Sequence, residues 1–261
     1  MNADSLKLAV KEKYSQIANQ SLLNQETSCC GGSTCCGELE INMIGDEYEG
    51  VVGHVADADL GLGCGLPTQY AGINAGDSVL DLGSGAGNDC FIARSIVGEN
   101  GSVTGLDFTE AMIAKAKENN QKLGFSNVVF VQGDIEDMPL SDNSFDVVVS
   151  NCVLNLVPDK AKAFAEMWRV MKPGGHFCVS DVVTAGALPE AVQKDMELYA
   201  GCVSGAISHD EYLNMISQTG FKNTSIHKMK RIKVPQHLLN GMDSNDEEKG
   251  IFSITVSAYK L

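Results

Sequence analysis

The stretch Val79-Leu80-Asp81-Leu82-Gly83-Ser84-Gly85-Ala86-Gly87-Asn88 limits what this chain can fold into more than any other. A short apolar run ends in an acid, glycines follow at alternate positions, and an amphipathic helical stretch comes next. That order predicts a strand, a tight turn and a helix. Bare backbone N–H groups and the positive end of the helix then face one ligand. The dinucleotide fingerprint G-x-G-x-x-G fails, because its third glycine falls on Asn88. A phosphate loop ending in Gly-Lys-Ser/Thr fails as well, since the turn holds no lysine. What remains is a cradle for a nucleotide-type cofactor of another kind.

The sequence around the turn repeats its pattern. Apolar runs at Ser78–Leu82, Ser102–Leu106, Val128–Gln132, Phe145–Ser150 and His176–Ser180 alternate with helical stretches at Asp89–Val97, Glu110–Leu123 and Asp159–Met171. Thr109 stands where a cap would start the second helix, and Lys172-Pro173-Gly174-Gly175 breaks the third. Repeated βα units of this length predict an α/β fold with a doubly wound, mostly parallel sheet. Helical stretches at Pro189–Tyr199 and His209–Thr219, and strands at Thr224–Met229 and Phe252–Tyr259, complete seven strands. Asn240–Gly250 is acidic and reads as a surface loop. Ahead of the core, Leu6, Val10, Tyr14 and Ile17 form one apolar helical stripe able to lid it. Ser28–Gly37 is too polar and glycine-rich for regular structure and reads as a mobile loop, and Gly61–Pro67 as a second glycine-rich turn. The expected organisation is a helix and Cys-rich lid over 1–70, a cofactor-binding core over 71–185, and the rest of the fold over 186–261.

The net charge of −15 gives no electrostatic footprint for nucleic acid or an anionic membrane, and favours a small or weakly charged substrate. The first residues carry no basic or apolar targeting pattern, and no apolar run approaches membrane-spanning length, so the expected location is cytoplasmic. Nine cysteines are many for 261 residues. In a reducing compartment they favour thiol or metal chemistry over structural disulfides.

In an open parallel sheet, ligands sit outside the carboxyl ends of the strands. Asp107 closes the second strand, where a carboxylate can accept both ribose hydroxyls. Asp134 closes the third and could accept the adenine amino group, with Ile135 packed on the ring. Cys152 lies at the end of the fourth, on the rim of the crevice, and Cys202 in a glycine-flanked turn could reach the same rim. Cys90 and Cys178 read as core thiols.

Asp81-Leu82-Gly83-Ser84-Gly85-Ala86-Gly87, Asp107, Gly133-Asp134-Ile135, Phe145-Asp146-Val147-Val148 and Met171-Lys172-Pro173-Gly174-Gly175 together resemble the class I S-adenosylmethionine methyltransferases, with their Rossmann-like sheet. Gly63-Cys64-Gly65, Asn151-Cys152-Val153-Leu154-Asn155 and Ala200-Gly201-Cys202-Val203-Ser204 resemble the three cysteine motifs of arsenite methyltransferases. Leu62 stands where some members carry an aromatic. The resemblance implies S-adenosylmethionine held by Asp81, Gly83, Ser84, Gly85, Gly87, Asp107, Phe108, Asp134, Ile135 and Asn151. It also implies arsenic(III) held by Cys64, Cys152 and Cys202. A further cysteine some 30 residues before Cys64 would donate electrons by forming a disulfide. Cys35 and Cys36 both fit that spacing, and thioredoxin or glutathione would resolve the bond.

The residue chemistry agrees. Thiolates are soft ligands suited to thiophilic centres, and three-coordinate arsenic(III) keeps a lone pair that can itself be the nucleophile. Zinc would favour four ligands with C-x-x-C spacing, which the Cys29-Cys30 and Cys35-Cys36 pairs lack. Two other functions stay open at this level: a quinone-type or other small-molecule methyltransferase, and a cysteine-rich metalloid-binding protein without catalysis.

Overall fold

A computed structural model describes residues 3–23, 48, 50–186, 205–232 and 250–261. Its first helix, α1 (Ala3–Leu23), is followed after an irregular stretch by the short α2 (Pro67–Tyr70). The alternating core then runs β1 (Ser78–Leu82), α3 (Asn88–Val97), β2 (Ser102–Asp107), α4 (Glu110–Leu123), β3 (Val128–Gln132), β4 (Phe145–Asn151), α5 (Lys160–Val170) and β5 (Met171–Ala185). Helix α6 (His209–Thr219) and strands β6 (Lys222–Arg231) and β7 (Gly250–Tyr259) finish the described chain.

The seven strands lie in the order β3-β2-β1-β4-β5-β7-β6. β1 pairs in parallel with both β2 and β4, and β7 pairs antiparallel with β5 and β6. The order therefore reverses between β1 and β4, and the glycine turn after β1 opens at that switch point. Alternation along β1 feeds both faces of the sheet. Leu80 and Leu82 join one core cluster with Phe164, Met167, Phe177 and Tyr212. Val79 joins the other with Phe91, Val103, Val147 and Val149. Burying each of these large side chains contributes about 1.5–3 kcal/mol.

Local chemistry sets the helix starts. Asp159 accepts the Lys162 N–H to begin α5, and Ser208 accepts the Glu211 N–H to begin α6. Thr109 does occupy the cap position of α4, but its side chain makes no capping bond. The Asp107 carboxylate holds the Thr109 N–H instead.

Helix α5 ends before Lys172–Gly175, as expected, but β5 starts ahead of those residues rather than after them. Met171 already pairs with Phe145, the register shifts, and pairing resumes at His176 with Val147. The apolar stripe of α1 is confirmed at Leu6, Val10 and Tyr14, which pack on a cluster containing Cys64, Cys152 and Leu156. Beyond Tyr14 the buried position is Ala18 rather than Ile17. The expected loop at 28–37, the helix at Pro189–Tyr199 and most of the acidic loop at 240–250 lie outside the described residues. Among the described residues no helix is long and apolar enough to cross a membrane.

Candidate functional site

Gly83, at φ +71°, starts the turn after β1, and a side chain there would meet Val153 Cγ2 at 2.3 Å. Only glycine lets β1 end that close to the segment after β4. The turn opens into a crevice of about 820 Å3, counted with its open mouth. Asp81, Gly83, Ser84, Gly85, Asp107, Phe108, Ile135, Asn151 and Cys152 line it. Val10 and Tyr14 of α1 line it too, so α1 forms part of the wall.

Asp107 sits at the end of β2, 8% exposed, with Oδ2 accepting the Gly85 N–H at 3.0 Å and Oδ1 the Thr109 N–H at 2.8 Å. Burial raises its carboxyl above the ordinary value, while the bonds from Thr109 and Gly85 pull it back. Each oxygen keeps acceptor capacity on its remaining lone pair. Asp81, in β1 just before the turn, is buried and accepts the Cys90 thiol at 3.2 Å. Burial first, then the charges of Asp89 and Asp107, push its carboxyl well up.

Asp134 lies apart from the lining of the main crevice. It borders an adjacent hollow with Ile135 and Leu156, where its Oδ2 accepts from Lys7 Nζ of α1 at 2.6 Å. Lys7 also reaches Glu136 at 2.5 Å. Gly87 adopts φ +100° as the residue before α3.

Cys64 and Cys152 belong to one buried cluster with Val10, Leu156, Val182 and Ile251, at 1% and 2% exposure. Cys152 adopts φ +60°, an uncommon conformation for a residue with a side chain, and its N–H donates to Ser180 O at 2.7 Å. Cys64 is fixed through its backbone: its N–H donates to Asn151 Oδ1 at 3.0 Å, and its carbonyl accepts from Ser253 Oγ at 2.5 Å. A side chain at Gly65 would meet Ser180 Oγ at 2.6 Å, so the turn lies directly against β5. Behind the cysteines is Tyr212, whose hydroxyl donates to buried Asp181 at 3.3 Å. Burial pushes the Tyr212 hydroxyl well up, followed by Asp181 and then by charge at Cys64 and Cys152.

Cys90 and Cys178 are fully buried in the core, as expected. Burial pushes Cys178 up to about 12 and, with Asp81, raises Cys90 strongly, so both are inert thiols. Cys202, Cys35 and Cys36 lie outside the described residues. Among the described residues no group of three or more His, Cys, Asp or Glu side chains could hold a metal ion.

Asn151, which the sequence reading gives to the cofactor, also meets several protein groups. Its two N–H groups are shared among Tyr48 Oη (2.6 Å), Gly65 O (2.7 Å) and Asp89 Oδ2 (3.2 Å), so its amide is already engaged within the protein. Sequence reasoning missed its partners. Tyr48 donates to Asp89 Oδ2 at 2.7 Å, and both line the crevice. Asp89 directly follows the glycine turn, which is the one signal that could have found it. Burial raises its carboxyl to about 6, against the bonds from Tyr48 and Asn151.

Three buried polar atoms on this wall have no hydrogen-bond partner among the described residues: Ser84 Oγ, Asn88 Nδ2 and Asp89 Oδ1. Leaving such groups unsatisfied costs about 1–3 kcal/mol each, so the crevice is built for a polar ligand. A cofactor with ribose hydroxyls for Asp107 and a polar end for these atoms fits it.

Comparison with known proteins agrees with this geometry. A family model described as a methyltransferase domain matches residues 73–220. An arsenite methyltransferase of Halobacterium salinarum is 41% identical over 83% of this chain and 57% of its own length. One from Aquipseudomonas alcaligenes is 33% identical over 88% and 66%. The chain thus spans less than two thirds of these relatives. The crystal structure of an arsenic(III) S-adenosylmethionine methyltransferase from Chlamydomonas reinhardtii superposes with a TM-score of 0.67 at 38% identity, covering 76% of this chain and 68% of that one.

Proposed function

The chain belongs to the methyltransferase-domain family, and from that premise we propose that it methylates arsenic(III) bound to its own cysteines, using S-adenosylmethionine. The observation that carries this reading is that Cys64 and Cys152 share one buried cluster, with Cys152 and Gly63, the neighbour of Cys64, lining the glycine-turn crevice. The similarity to arsenite methyltransferases supports it. A quinone-type substrate has no use for two thiols there.

Bound in the crevice, S-adenosylmethionine supplies a methyl group on a sulfonium, an electrophile for an arsenic lone pair. Asp107 accepts the ribose hydroxyls, the Gly83–Gly87 turn and Asp81 shape the floor, and Phe108 and Ile135 flank the base. Asp134, in the adjacent hollow where Lys7 holds it, is assigned to the adenine edge. Cys64 and Cys152, with Cys202 as third ligand, react with arsenous acid as thiols and hold the arsenic as thiolates. Each thiol proton leaves with an arsenic hydroxyl as water, so no separate base is needed. Held by sulfur, arsenic keeps its lone pair, and the protein's work is alignment with the crevice. The φ of +60° at Cys152 turns that thiol at the strand end.

Methylation raises arsenic to the +5 state. Return to +3 takes two electrons, supplied as two thiols become a disulfide. Cys35 or Cys36 is the proposed N-terminal partner, with thioredoxin or glutathione as the external thiol reductant. That chemistry suits a cytoplasmic protein.

Arsenite retained on the chain after gel filtration, measured by atomic mass spectrometry, tests the site. The wild type is expected to retain it stoichiometrically, and Cys152→Ser or Cys202→Ser to lose it. Full retention by both variants contradicts the assignment.

A further inference from the structure

Asp89 has two differently occupied oxygens. Oδ2 accepts from Tyr48 Oη at 2.7 Å and from Asn151 Nδ2 at 3.2 Å, whereas Oδ1 is buried without a partner among the described residues. Beside it, Asn88 Oδ1 accepts the Val55 N–H at 3.1 Å, which leaves Asn88 Nδ2 as the second unpartnered atom. A carboxylate oxygen in need of a donor, next to an amide N–H in need of an acceptor, is the complement of an ammonium beside a carboxylate. Ser84 Oγ, the third unpartnered atom, can serve either. Ser84, Asn88 and Asp89 are all more than nine-tenths buried and all line the crevice. The ligand chemistry they fit is a free α-amino acid end.

The other oxygen of Asp89 leads elsewhere. Through Tyr48 and Asn151 it reaches the turn of the first cysteine, where Asn151 grips the Cys64 N–H and the Gly65 carbonyl with opposite ends of one amide. We infer that Asp89, Tyr48 and Asn151 form a hydrogen-bonded chain joining the seat of the cofactor's amino-acid end to the turn that carries Cys64. Cofactor and arsenic(III) therefore bind cooperatively. Asp89 touches the cofactor, and Tyr48 and Asn151 are positioning residues acting on Cys64. The coupling rests on the proposed function. An ammonium on Oδ1 keeps Asp89 anionic and its Oδ2 a strong acceptor, which tightens Tyr48 and Asn151 and fixes the Cys64 turn.

Calorimetric titration of two ligands tests this without turnover. S-adenosylhomocysteine carries the amino-acid end and 5′-methylthioadenosine lacks it. Each is titrated with and without saturating arsenite, into wild type, Asp89→Asn and Tyr48→Phe. In wild type, arsenite is expected to tighten S-adenosylhomocysteine about fivefold or more, the range of ordinary allosteric coupling, and to leave methylthioadenosine within about twofold. By linkage, S-adenosylhomocysteine tightens arsenite by the same factor.

In Asp89→Asn, S-adenosylhomocysteine weakens about tenfold or more and the coupling collapses, while unchanged methylthioadenosine binding shows that the site remains folded. Tyr48→Phe keeps the ligand contact and loses much of the coupling. Equal coupling for both ligands, or coupling that survives Asp89→Asn, overturns the inference. So does arsenite binding that leaves S-adenosylhomocysteine affinity unchanged. A wild type that binds no arsenite overturns the proposed function itself, and the coupling with it.

Discussion

Asp107 and Asp181 are both buried carboxylates, and their surroundings give them different consequences. Asp107 holds two backbone N–H groups at the end of β2 and faces the crevice. Charge-assisted hydrogen bonds contribute about 1.5–3 kcal/mol each, so Asp107→Ala is expected to weaken S-adenosylhomocysteine about tenfold or more in calorimetric titration. Unchanged affinity contradicts its role. Asp181 lies behind the cysteines, where burial raises its carboxyl from 3.8 to about 7, against the Val182 N–H, the Lys160 charge and the Tyr212 hydroxyl. The folded chain therefore binds that proton more tightly than the unfolded one. The resulting stability is full below pH 3.8 and is lost as pH rises through 7. Asp181→Asn should gain in melting temperature over wild type steadily as pH rises from 5 to 8. A melting difference that does not change over that range contradicts the assignment.

Helix α1 is the element whose role was easiest to read and whose main contact was not. Its apolar stripe is visible as residues spaced by helical turns, and Leu6, Val10 and Tyr14 meet the cysteine cluster. The ion pairs of Lys7 with Asp134 and Glu136 join residues more than a hundred positions apart, and no local pattern carries that. Lys7 and Asp134 are partly exposed, at 29% and 40%, so the pairs are salt-sensitive and contribute about 1 kcal/mol. Lys7→Ala is expected to speed S-adenosylhomocysteine release roughly fivefold in stopped flow at low salt, with the difference shrinking as salt rises. Equal release rates contradict α1 as a wall that retains the ligand.

The strands and helices of the core were legible because their periodicity is local, with ends marked by Gly, Pro, Asp and Ser. The start of β5 was not, because Met171 pairs with Phe145 across a register shift that only the partner strand defines. The glycine turn and Asp107 were legible as a strand–turn–helix and a strand end. The Tyr48–Asp89–Asn151 chain was not, because its members come from three segments and meet only in the fold.

At the scale of the whole molecule, the sheet order sets the chemistry. The switch between β1 and β4 places the glycine turn and Cys152 on one rim, and the β5–β7 pair supports the Cys64 turn through Ser253. A net charge of −15 excludes steering of polyanions and sets no barrier to a neutral small substrate such as the arsenous acid proposed above. Cys64→Ser separates the steps of such a reaction. It should stop methylation of arsenite while sparing methylarsenite, which needs fewer sulfurs, and equal loss of both contradicts that division. The central claim is tested most directly by incubating the protein with arsenite, S-adenosylmethionine and a thiol, and separating the arsenic species by chromatography coupled to mass spectrometry. Methylated arsenicals formed by wild type and absent with Cys152→Ser, at unchanged S-adenosylhomocysteine affinity, are the predicted result. No methylated arsenic above the protein-free control, or undiminished product from Cys152→Ser, would contradict it.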